Sequence, residues 1–350
     1  MTKKVNFAIT IGALFLLGLG GLSSVFVLTL EGGAFFSSPS SFVDGSGIKE
    51  IESQFDKNLP FRTSLLNKWN RGLFILFRQG LPGVLVGKDD WLFTSEEWYS
   101  EPPGSQGAWN VISETHQNLE NQGIELFVVV IPAKNRVASE FVPRPLFSPL
   151  ENRYARSLER LQELGIPHLD LLTPYLDASK PSDVFLRTDT HWTPEGARLA
   201  AREIAKTLGQ QLPGLNLGDW IYTTQVGDRE PFRGDLFEFL PSGDGPLLTS
   251  ALPRPDTLTT YRTTQAQGPS VGLFDLPQIP IALVGTSYSA GERWNFLGFL
   301  QEAMGSDIVS FAQEGEGPFV PMKEALENPG LQEAGVKLVL WEIPERYLPF

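Results

Sequence analysis

Apolar runs alternate with amphipathic segments over most of the chain. Buried strands are predicted where valine, isoleucine and leucine cluster, at 126–131, 168–171, 281–284, 308–311 and 338–341. Helices are predicted where apolar positions recur at helical spacing, at 111–122, 151–164, 194–208 and 292–304. Fully apolar strands separated by helices are typical of a parallel sheet covered on both faces. The pattern therefore predicts an α/β sandwich with a mostly parallel central sheet.

The first thirty residues have a different pattern. No charged residue occurs between Val5 and Leu30, a length that exceeds the roughly 20 apolar residues needed to cross a bilayer. Residues 1–30 are predicted to form a signal anchor, and Lys3 and Lys4 favour a cytoplasmic amino terminus. A cleaved signal peptide is the alternative. Both interpretations export the rest of the chain.

The remaining chain is predicted to consist of a tether and one folded domain. Residues 31–47 are rich in Gly, Ser and Pro, the composition of a flexible tether, and the domain extends over 48–350. Helical spacing over 48–59 and 65–77 predicts two amphipathic helices, and 84–94 predicts a hairpin around the polar turn 87–90. Between 209 and 280, abundant Gly, Pro, Asp and Thr predict an irregular or short-stranded insertion.

Composition excludes several classes of function. The chain has 41 acidic and 28 basic residues, a net charge of -13 that argues against a nucleic-acid partner. Cysteine is absent, so neither disulfides nor thiolate metal sites hold the fold, which suits a periplasmic protein. The sequence shows no histidine cluster with metal-ligand spacing and no glycine-rich phosphate loop. No metal and no cofactor are predicted.

Ser287 is the candidate nucleophile. It follows the predicted strand 281–284 through Gly285 and Thr286, and a helix is predicted to begin a few residues later. A serine at the carboxyl end of a buried strand is exposed, and amides at a helix start can stabilise an oxyanion. Alternatively, this segment is only a polar strand-to-helix turn.

His191 and Asp189 are the candidate base and its orienting carboxylate. In an extended chain, residues two apart point to the same side, so Asp189 can flank the imidazole. Thr193 and Pro194 resemble an N-cap and a first helical residue, which places His191 at another strand-to-helix junction. Serine attacks an ester efficiently when an imidazole accepts its proton and a carboxylate fixes that imidazole. Alternatively, His191 is an ordinary hydrogen-bonded histidine.

The two motifs 189–192 and 285–289 resemble, in the same order, the catalytic motifs of the SGNH-hydrolase-like alginate O-acetyltransferases of the AlgJ/AlgX type. Further matches lie at 87–93, 131–134, 233–236 and 341–348, so the resemblance covers the chain from about residue 48 to its end. It implies an SGNH-hydrolase-like fold, with Ser287 as nucleophile, His191 as base and Asp189 as orienter. The sequence ends at Phe350 without the long carbohydrate-binding module of the AlgX kind, so it is more similar to AlgJ.

The resemblance also implies a function and a location. The expected enzyme is a periplasmic polysaccharide O-acetyltransferase that acts on alginate or a similar exported polysaccharide. A single-pass anchor would hold it in the inner membrane, and a multipass membrane acyltransferase would deliver the acetyl group to Ser287. Two alternatives stay open: a carbohydrate esterase or lipase that uses the same triad with water, and a non-catalytic scaffold of a polysaccharide-export complex.

Four further residues are candidates for substrate binding. Trp192 and Tyr288 offer flat apolar faces to sugar rings. Arg293 is placed to meet a sugar carboxylate, or else to pair with acidic neighbours on a helix surface. Lys134 follows a strand and a proline, and either reaches the cleft as a cation or is a solvated loop lysine. Glu342 and Arg346 are expected to form an ion pair that closes the fold.

Overall fold

The structure, a computed structural model, describes residues 49, 62–100, 105, 107–146, 148–214, 220–268 and 279–349. The chain divides into two units, Met1–Leu73 and Phe74–Phe350. The predicted anchor and tether lie outside the described residues, and so does the helix predicted over 48–59, apart from Lys49. Within the described ranges, no helix has both the length and the apolarity that a membrane span requires.

Strands and helices follow one another through most of the described chain. The strands are β1 (Val84–Val86), β2 (Leu92–Thr94), β3 (Glu125–Ile131), β4 (Ile221–Phe232), β5 (Asp256–Gln267), β6 (Ile281–Val284), β7 (Ile308–Ser310) and β8 (Leu338–Pro344). The helices are α1 (Arg62–Phe77), α2 (Ala108–Asn121), α3 (Lys134–Val137), α4 (Ser148–Glu151), α5 (Arg153–Glu163), α6 (Leu172–Leu176), α7 (Pro194–Gln211), α8 (Pro246–Ala251), α9 (Ser287–Ala290), α10 (Phe296–Met304), α11 (Phe319–Glu327) and α12 (Gly330–Glu333). Single 3₁₀ turns lie at Ser95–Trp98, Ser139–Phe141, Pro181–Asp183, Asp235–Phe239, Glu292–Trp294 and Glu345–Tyr347.

A parallel sheet in the order β3-β8-β6-β7 forms the centre of the larger unit. Nearly every residue of β3, β6 and β8 is buried, because helices cover both faces. The carboxyl ends of parallel strands share one edge of the sheet, and ligands of open α/β sheets bind beyond that edge. The predicted α/β sandwich with a parallel central sheet is confirmed.

Alternate side chains of each strand enter two separate cores. On one face, Phe127, Val129 and Ile131 of β3 pack with apolar residues of α7 and α10. On the other face, the intervening residues of β3 pack with α2, α5 and α11. Successive strand side chains point to opposite faces, so one continuous apolar run supplies both cores. This explains why β3, β6 and β8 contain few polar residues.

Most predicted elements are present, with small changes at their ends. The hairpin over 84–94 is formed by β1 and β2, and the helix predicted at 292–304 is divided into a 3₁₀ turn and α10. The strand predicted at 168–171 is wrong. Only His168 pairs there, through a single bridge to Val128.

The segment between 209 and 280 differs most from its prediction. Helix α7 continues to Gln211, and β4 and β5 then form an antiparallel ribbon of two twelve-residue strands. The strands of this segment are therefore long, not short, whereas 233–255 contains a 3₁₀ turn, α8 and irregular chain. Most residues of β4 and β5 are exposed. Their sequence therefore lacks the alternation of apolar and polar residues that predicts a half-buried strand.

Candidate active site

Ser287, His191 and Asp189 form a continuous chain of hydrogen bonds. Ser287 Oγ lies 2.7 Å from His191 Nε2, and His191 Nδ1 lies 2.6 Å from Asp189 Oδ1. Ser287 is the first residue of α9, directly beyond the carboxyl end of β6. A serine bonded to an imidazole that is itself held by a carboxylate has the geometry of an activated nucleophile. The structure thus brings the three predicted residues together.

The histidine loop (residues 187–193) is shaped by its own side chains. Asp189 Oδ1 also accepts the His191 amide at 2.8 Å, which folds the loop back on the carboxylate instead of leaving it extended. Thr193 caps α7 by accepting the Gly196 amide at 2.9 Å, and Pro194 occupies the first helical position. The predicted cap is confirmed, whereas the residues before it form bends and one bridge, not a strand.

Two aromatic rings pack against the imidazole of His191. The ring centroid of Tyr288 lies 4.9 Å from that of His191, and Trp294 stacks on the imidazole at 5.1 Å. Trp294 also donates from Nε1 to the carbonyl oxygen of Ser287 at 3.1 Å. Trp294 was not among the residues predicted for the site. Its only signal was its position, seven residues after Ser287 in a segment already assigned to the site.

Asp235 is a second carboxylate behind the histidine. Its amide donates to Asp189 Oδ2 at 2.8 Å, and its carboxylate accepts the amide and hydroxyl of Thr190. Burial raises the pKa of Asp235, and the nearby Asp189 raises it further. Gly234 permits this approach, because a Cβ there would lie 2.1 Å from the carbonyl oxygen of Thr188. Residues 233–236 match the family in sequence, but no pattern around Asp235 predicted its role in the site.

Asp189 stays ionised in this setting. Burial acts to raise its pKa, but the hydrogen bonds from His191 and from the Asp235 amide, with the charge interaction between Asp189 and His191, outweigh burial, so the pKa of Asp189 is lowered. An ionised Asp189 keeps the proton on Nδ1 and leaves Nε2 free to accept a proton from Ser287.

The side chain of Glu342 supports the serine turn (residues 285–290). Its buried carboxylate accepts the Thr286 amide at 2.7 Å and the Thr286 and Ser289 hydroxyls at 3.0 Å each. Burial raises the pKa of Glu342. Gly285 is required here, because a Cβ would lie 2.5 Å from Glu342 Oε2. The expected ion pair with Arg346 is wrong: Arg346 Nε lies 3.1 Å from Glu96 Oε2 instead.

Replacing Glu342 by Gln should lower kcat for a small acetyl ester by about 10²-fold with little change in KM, because displacing a nucleophile by about 1 Å has an effect of that size. The amide keeps the shape of the side chain but removes the negative charge, which weakens the three hydrogen bonds that Oε2 accepts. Steady-state kinetics together with urea unfolding would separate misalignment from loss of fold. A variant with unchanged kcat would show that Glu342 does not position the serine turn.

Lys134 does not reach the cleft, and it is not a solvated lysine. It is 1% exposed, and its ammonium donates to the carbonyl oxygens of Leu92, Arg187 and Asp189 at 2.6, 3.0 and 2.8 Å. Burial lowers its pKa to about 8. The three carbonyls use all three N–H donors of the ammonium, so none remains for a substrate. Lys134 is a structural support of the histidine loop.

Trp192 and Tyr288 do not form a surface for sugar rings. Trp192 is fully buried between Tyr288 and Phe296, with ring centroids 5.2 and 4.7 Å away. Tyr288 is 2% exposed and donates its hydroxyl to the carbonyl oxygen of Thr190 at 2.6 Å. Both predictions of substrate contact are wrong: Ser287 and His191 line the cleft, whereas their chain neighbours Tyr288 and Trp192 are turned into the core.

An open cleft of about 880 Å³ lies over Ser287 and His191. Arg293 lines it, as the sequence predicted, together with Arg233, Phe232 and Trp294. The amide of Ser287 has no acceptor within the described chain, as expected for the first residue of a helix. That amide can stabilise negative charge on an oxygen bonded to the atom that Ser287 attacks.

The same side chains also resemble a metal-ligand set. Asp189, His191 and Asp235 place one potential ligand atom each within 4.8 Å of one another in the described chain. Both ring nitrogens of His191 already face partners, Asp189 and Ser287, so a cation would have to displace one of these hydrogen bonds.

The chain matches a known protein family. The family model described as "SGNH hydrolase-like domain, acetyltransferase AlgX" matches residues 84–345. A protein of Pseudomonas syringae pv. tomato named "Probable alginate O-acetylase AlgJ" is 36% identical over 100% of this chain and 90% of its own length. The protein of that name in Pseudomonas aeruginosa is 38% identical over 95% of this chain and 87% of its own.

A solved structure shows the same fold. The O-acetyltransferase domain of Pseudomonas putida AlgJ superposes with a TM-score of 0.69 at 37% identity, covering 77% of this chain and 93% of that one. The predicted SGNH-hydrolase-like fold and the predicted enzyme class, an O-acyltransferase, are both confirmed. The chain belongs to the family of SGNH hydrolase-like acetyltransferases that its match to AlgX defines.

Proposed function

We propose that the protein transfers acetyl groups to hydroxyls of an exported polysaccharide, alginate or a similar polymer, through an acetyl-Ser287 intermediate. The observation that carries the proposal is the unbroken hydrogen-bond chain from Ser287 through His191 to Asp189, which opens into a cleft large enough for sugar units. Kinship with alginate O-acetylases supports the choice of acceptor.

The first half-reaction forms the acetyl-enzyme. Ser287 Oγ attacks the acetyl carbonyl carbon of the donor while His191 Nε2 takes the hydroxyl proton, and Asp189 stabilises the resulting imidazolium. The oxygen of the tetrahedral intermediate carries the negative charge and accepts a hydrogen bond from the Ser287 amide. When the bond to the donor's leaving oxygen breaks, that oxygen takes the proton from His191.

The second half-reaction regenerates the serine. A sugar hydroxyl passes its proton to His191 Nε2 as its oxygen attacks the acetyl carbon. The tetrahedral intermediate then collapses, the bond to Ser287 Oγ breaks, and His191 returns the proton to Oγ. The products are an acetylated sugar and the free enzyme. Water in place of the sugar would make the protein an esterase.

The apolar pattern of the first thirty residues supports a location, and the family resemblance supports a partner. We place the catalytic unit in the periplasm, tethered to the inner membrane by the apolar segment over 5–30. In this arrangement, a multipass membrane acyltransferase supplies the acetyl group that Ser287 accepts. Detection of the chain in isolated inner membranes, with its carboxyl-terminal part accessible to protease only after the outer membrane is opened, would test the placement.

The choice between a sugar hydroxyl and water as acceptor tests the transferase assignment. A substitution of Arg293 tests how the sugar is bound. With p-nitrophenyl acetate as donor, an oligosaccharide of uronic acid should gain acetyl groups, as measured by mass spectrometry. Arg293→Gln should lower this transfer by about tenfold or more, because a hydrogen bond to a charged group contributes roughly 1.5–3 kcal/mol. Ester hydrolysis should change little.

The matched control is Arg202→Gln, which removes an exposed arginine on α7 outside the cleft and should change neither reaction. Unchanged hydrolysis with no acetyl gained by any oligosaccharide in a broad panel would contradict the transferase assignment and leave an esterase. Equal transfer by Arg293→Gln and wild type would exclude Arg293 from acceptor binding.

A further inference from the structure

A second cavity adjoins the cleft over Ser287. It has a volume of about 530 Å³, and four residues line both spaces: Phe232, Arg233, Glu292 and Arg293. The two spaces therefore meet at these side chains and form one groove. The mechanism described above uses only the part of this groove that lies over the triad.

The β4–β5 ribbon forms the far wall of the second cavity. Glu230 and Pro231 contribute from β4, and Leu258, Thr260 and Tyr261 contribute from β5. Tyr261 is fixed by a hydrogen bond to Glu195 at 3.0 Å and an edge contact with Phe299 at 5.2 Å. This wall is a paired, anchored part of the fold, so the groove exists before any ligand binds.

Two arginines flank the junction of the two spaces. The guanidinium of Arg293 lies 5.4 Å from the ring centre of Phe232, and that of Arg233 lies 4.6 Å from that of Phe237. In the described chain, no carboxylate lies within 4.0 Å of either guanidinium. Stacking on a ring leaves the N–H groups at the edge of the guanidinium plane available for hydrogen bonds.

The charges of the second cavity are mixed. Arg233 and Arg293 supply donors, and the carboxylates of Glu230 and Glu292 supply acceptors. A cavity that recognised a simple anion would not carry two carboxylates among four charged groups. Sugar hydroxyls both donate and accept hydrogen bonds, so they can satisfy the two kinds of group together. Mixed donors and acceptors beside aromatic side chains fit a carbohydrate.

We propose that the second cavity is a subsite for sugar units that flank the acetylated unit of the acceptor chain. This inference rests on the proposed transferase function. The acceptor chain would extend from Ser287 between Arg233 and Arg293 and then along the β4–β5 ribbon. The protein thereby acetylates units within a polymer and uses their neighbours for binding.

Transfer should therefore depend on acceptor length. With p-nitrophenyl acetate as donor, the purified full chain is offered uronic acid oligosaccharides graded in length from the monosaccharide upward. Acetyl gained per sugar unit, measured by mass spectrometry, should rise by about tenfold or more once the acceptor fills the second cavity, as expected for one or two added hydrogen bonds. Equal transfer to the monosaccharide and to long oligomers would overturn the proposal.

A blocking substitution locates the subsite. Thr260→Trp fills the second cavity from its ribbon wall, and it should reduce transfer to long acceptors to the level seen with the monosaccharide. Hydrolysis of p-nitrophenyl acetate should stay unchanged, which also shows that the variant folds. The matched control is Thr264→Trp, an equal change at an exposed position of the same strand outside both spaces, and it should retain full length dependence.

The possible results distinguish a failure of the transferase assignment from a failure of the subsite. No transfer to any acceptor would overturn the transferase assignment and this proposal with it. Transfer that depends on length but is equal in Thr260→Trp and Thr264→Trp would overturn the location of the subsite. If Thr260→Trp loses ester hydrolysis as well, Glu230→Gln decides instead: unchanged transfer to long acceptors by this variant would overturn the subsite.

Discussion

Ser287→Ala is expected to abolish turnover of p-nitrophenyl acetate, with a loss in kcat on the order of 10⁴-fold or more. The substitution removes the atom that carries the acetyl group and leaves His191 and Asp189 in place. His191→Ala should cost nearly as much, because the serine proton then has no acceptor. The double variant should lose little beyond the worse single one, since residues of a triad act as a unit.

Ser289→Ala is the matched control for this loss. Ser289 lies in the same turn, but its hydroxyl donates to Glu342 at 3.0 Å and is buried away from the cleft. It should keep most of its activity. Mass spectrometry of acid-quenched enzyme should find the added acetyl group on the peptide that contains Ser287, and not in Ser287→Ala. Undiminished turnover by purified Ser287→Ala would remove Ser287 as the nucleophile.

Lys134→Met is expected to lower the free energy of unfolding by about 3 kcal/mol or more, because a buried acceptor left without its donor costs about 1–3 kcal/mol. The substitution leaves three carbonyl oxygens without donors. It also removes the positive charge that acts most strongly to lower the pKa of the buried Glu97 carboxyl. Burial already raises the pKa of Glu97 to about 7, even though Lys134 acts to lower it.

Urea unfolding monitored by fluorescence measures this loss. Lys206→Met is the control, since Lys206 is 63% exposed and its pair with Glu203 contributes about 0–1 kcal/mol. Glu97→Gln combined with Lys134→Met should be less destabilised than the sum of the two single variants, because the double change leaves no unpaired charge. A loss below about 1 kcal/mol in Lys134→Met would show that the ammonium does not hold the histidine loop.

The sequence predicted the sheet and the three triad residues for the same reason. Strands buried on both faces appear as unbroken apolar runs, and the polar residues that follow them at one edge are brought together by topology. Ser287 follows β6 in this way. His191 was found by its place before a recognisable helix cap, although its pairing with Asp189 arises from a folded loop and not from a strand.

The errors arose where function depends on side-chain direction. Trp192 and Tyr288 are next to His191 and Ser287 in the sequence, but each turns into the core. Lys134 appeared to be a loop cation because nothing local shows that three carbonyls from distant segments surround it. Glu342 was assigned to Arg346, four residues away, whereas the serine turn that it supports lies more than fifty residues earlier. Such contacts exist only after the chain has folded.

Besides the bond between Ser287 and His191, a second hydrogen bond links the two halves of the site: the Tyr288 hydroxyl donates to the carbonyl oxygen of Thr190. Tyr288 is the chain neighbour of Ser287, and Thr190 is the chain neighbour of His191, so each motif contacts the other beside its reactive residue. In protein engineering, the serine turn and the histidine loop would therefore have to be transferred together. Moving the serine turn alone into another scaffold would leave the Tyr288 hydroxyl without the carbonyl oxygen that it contacts here.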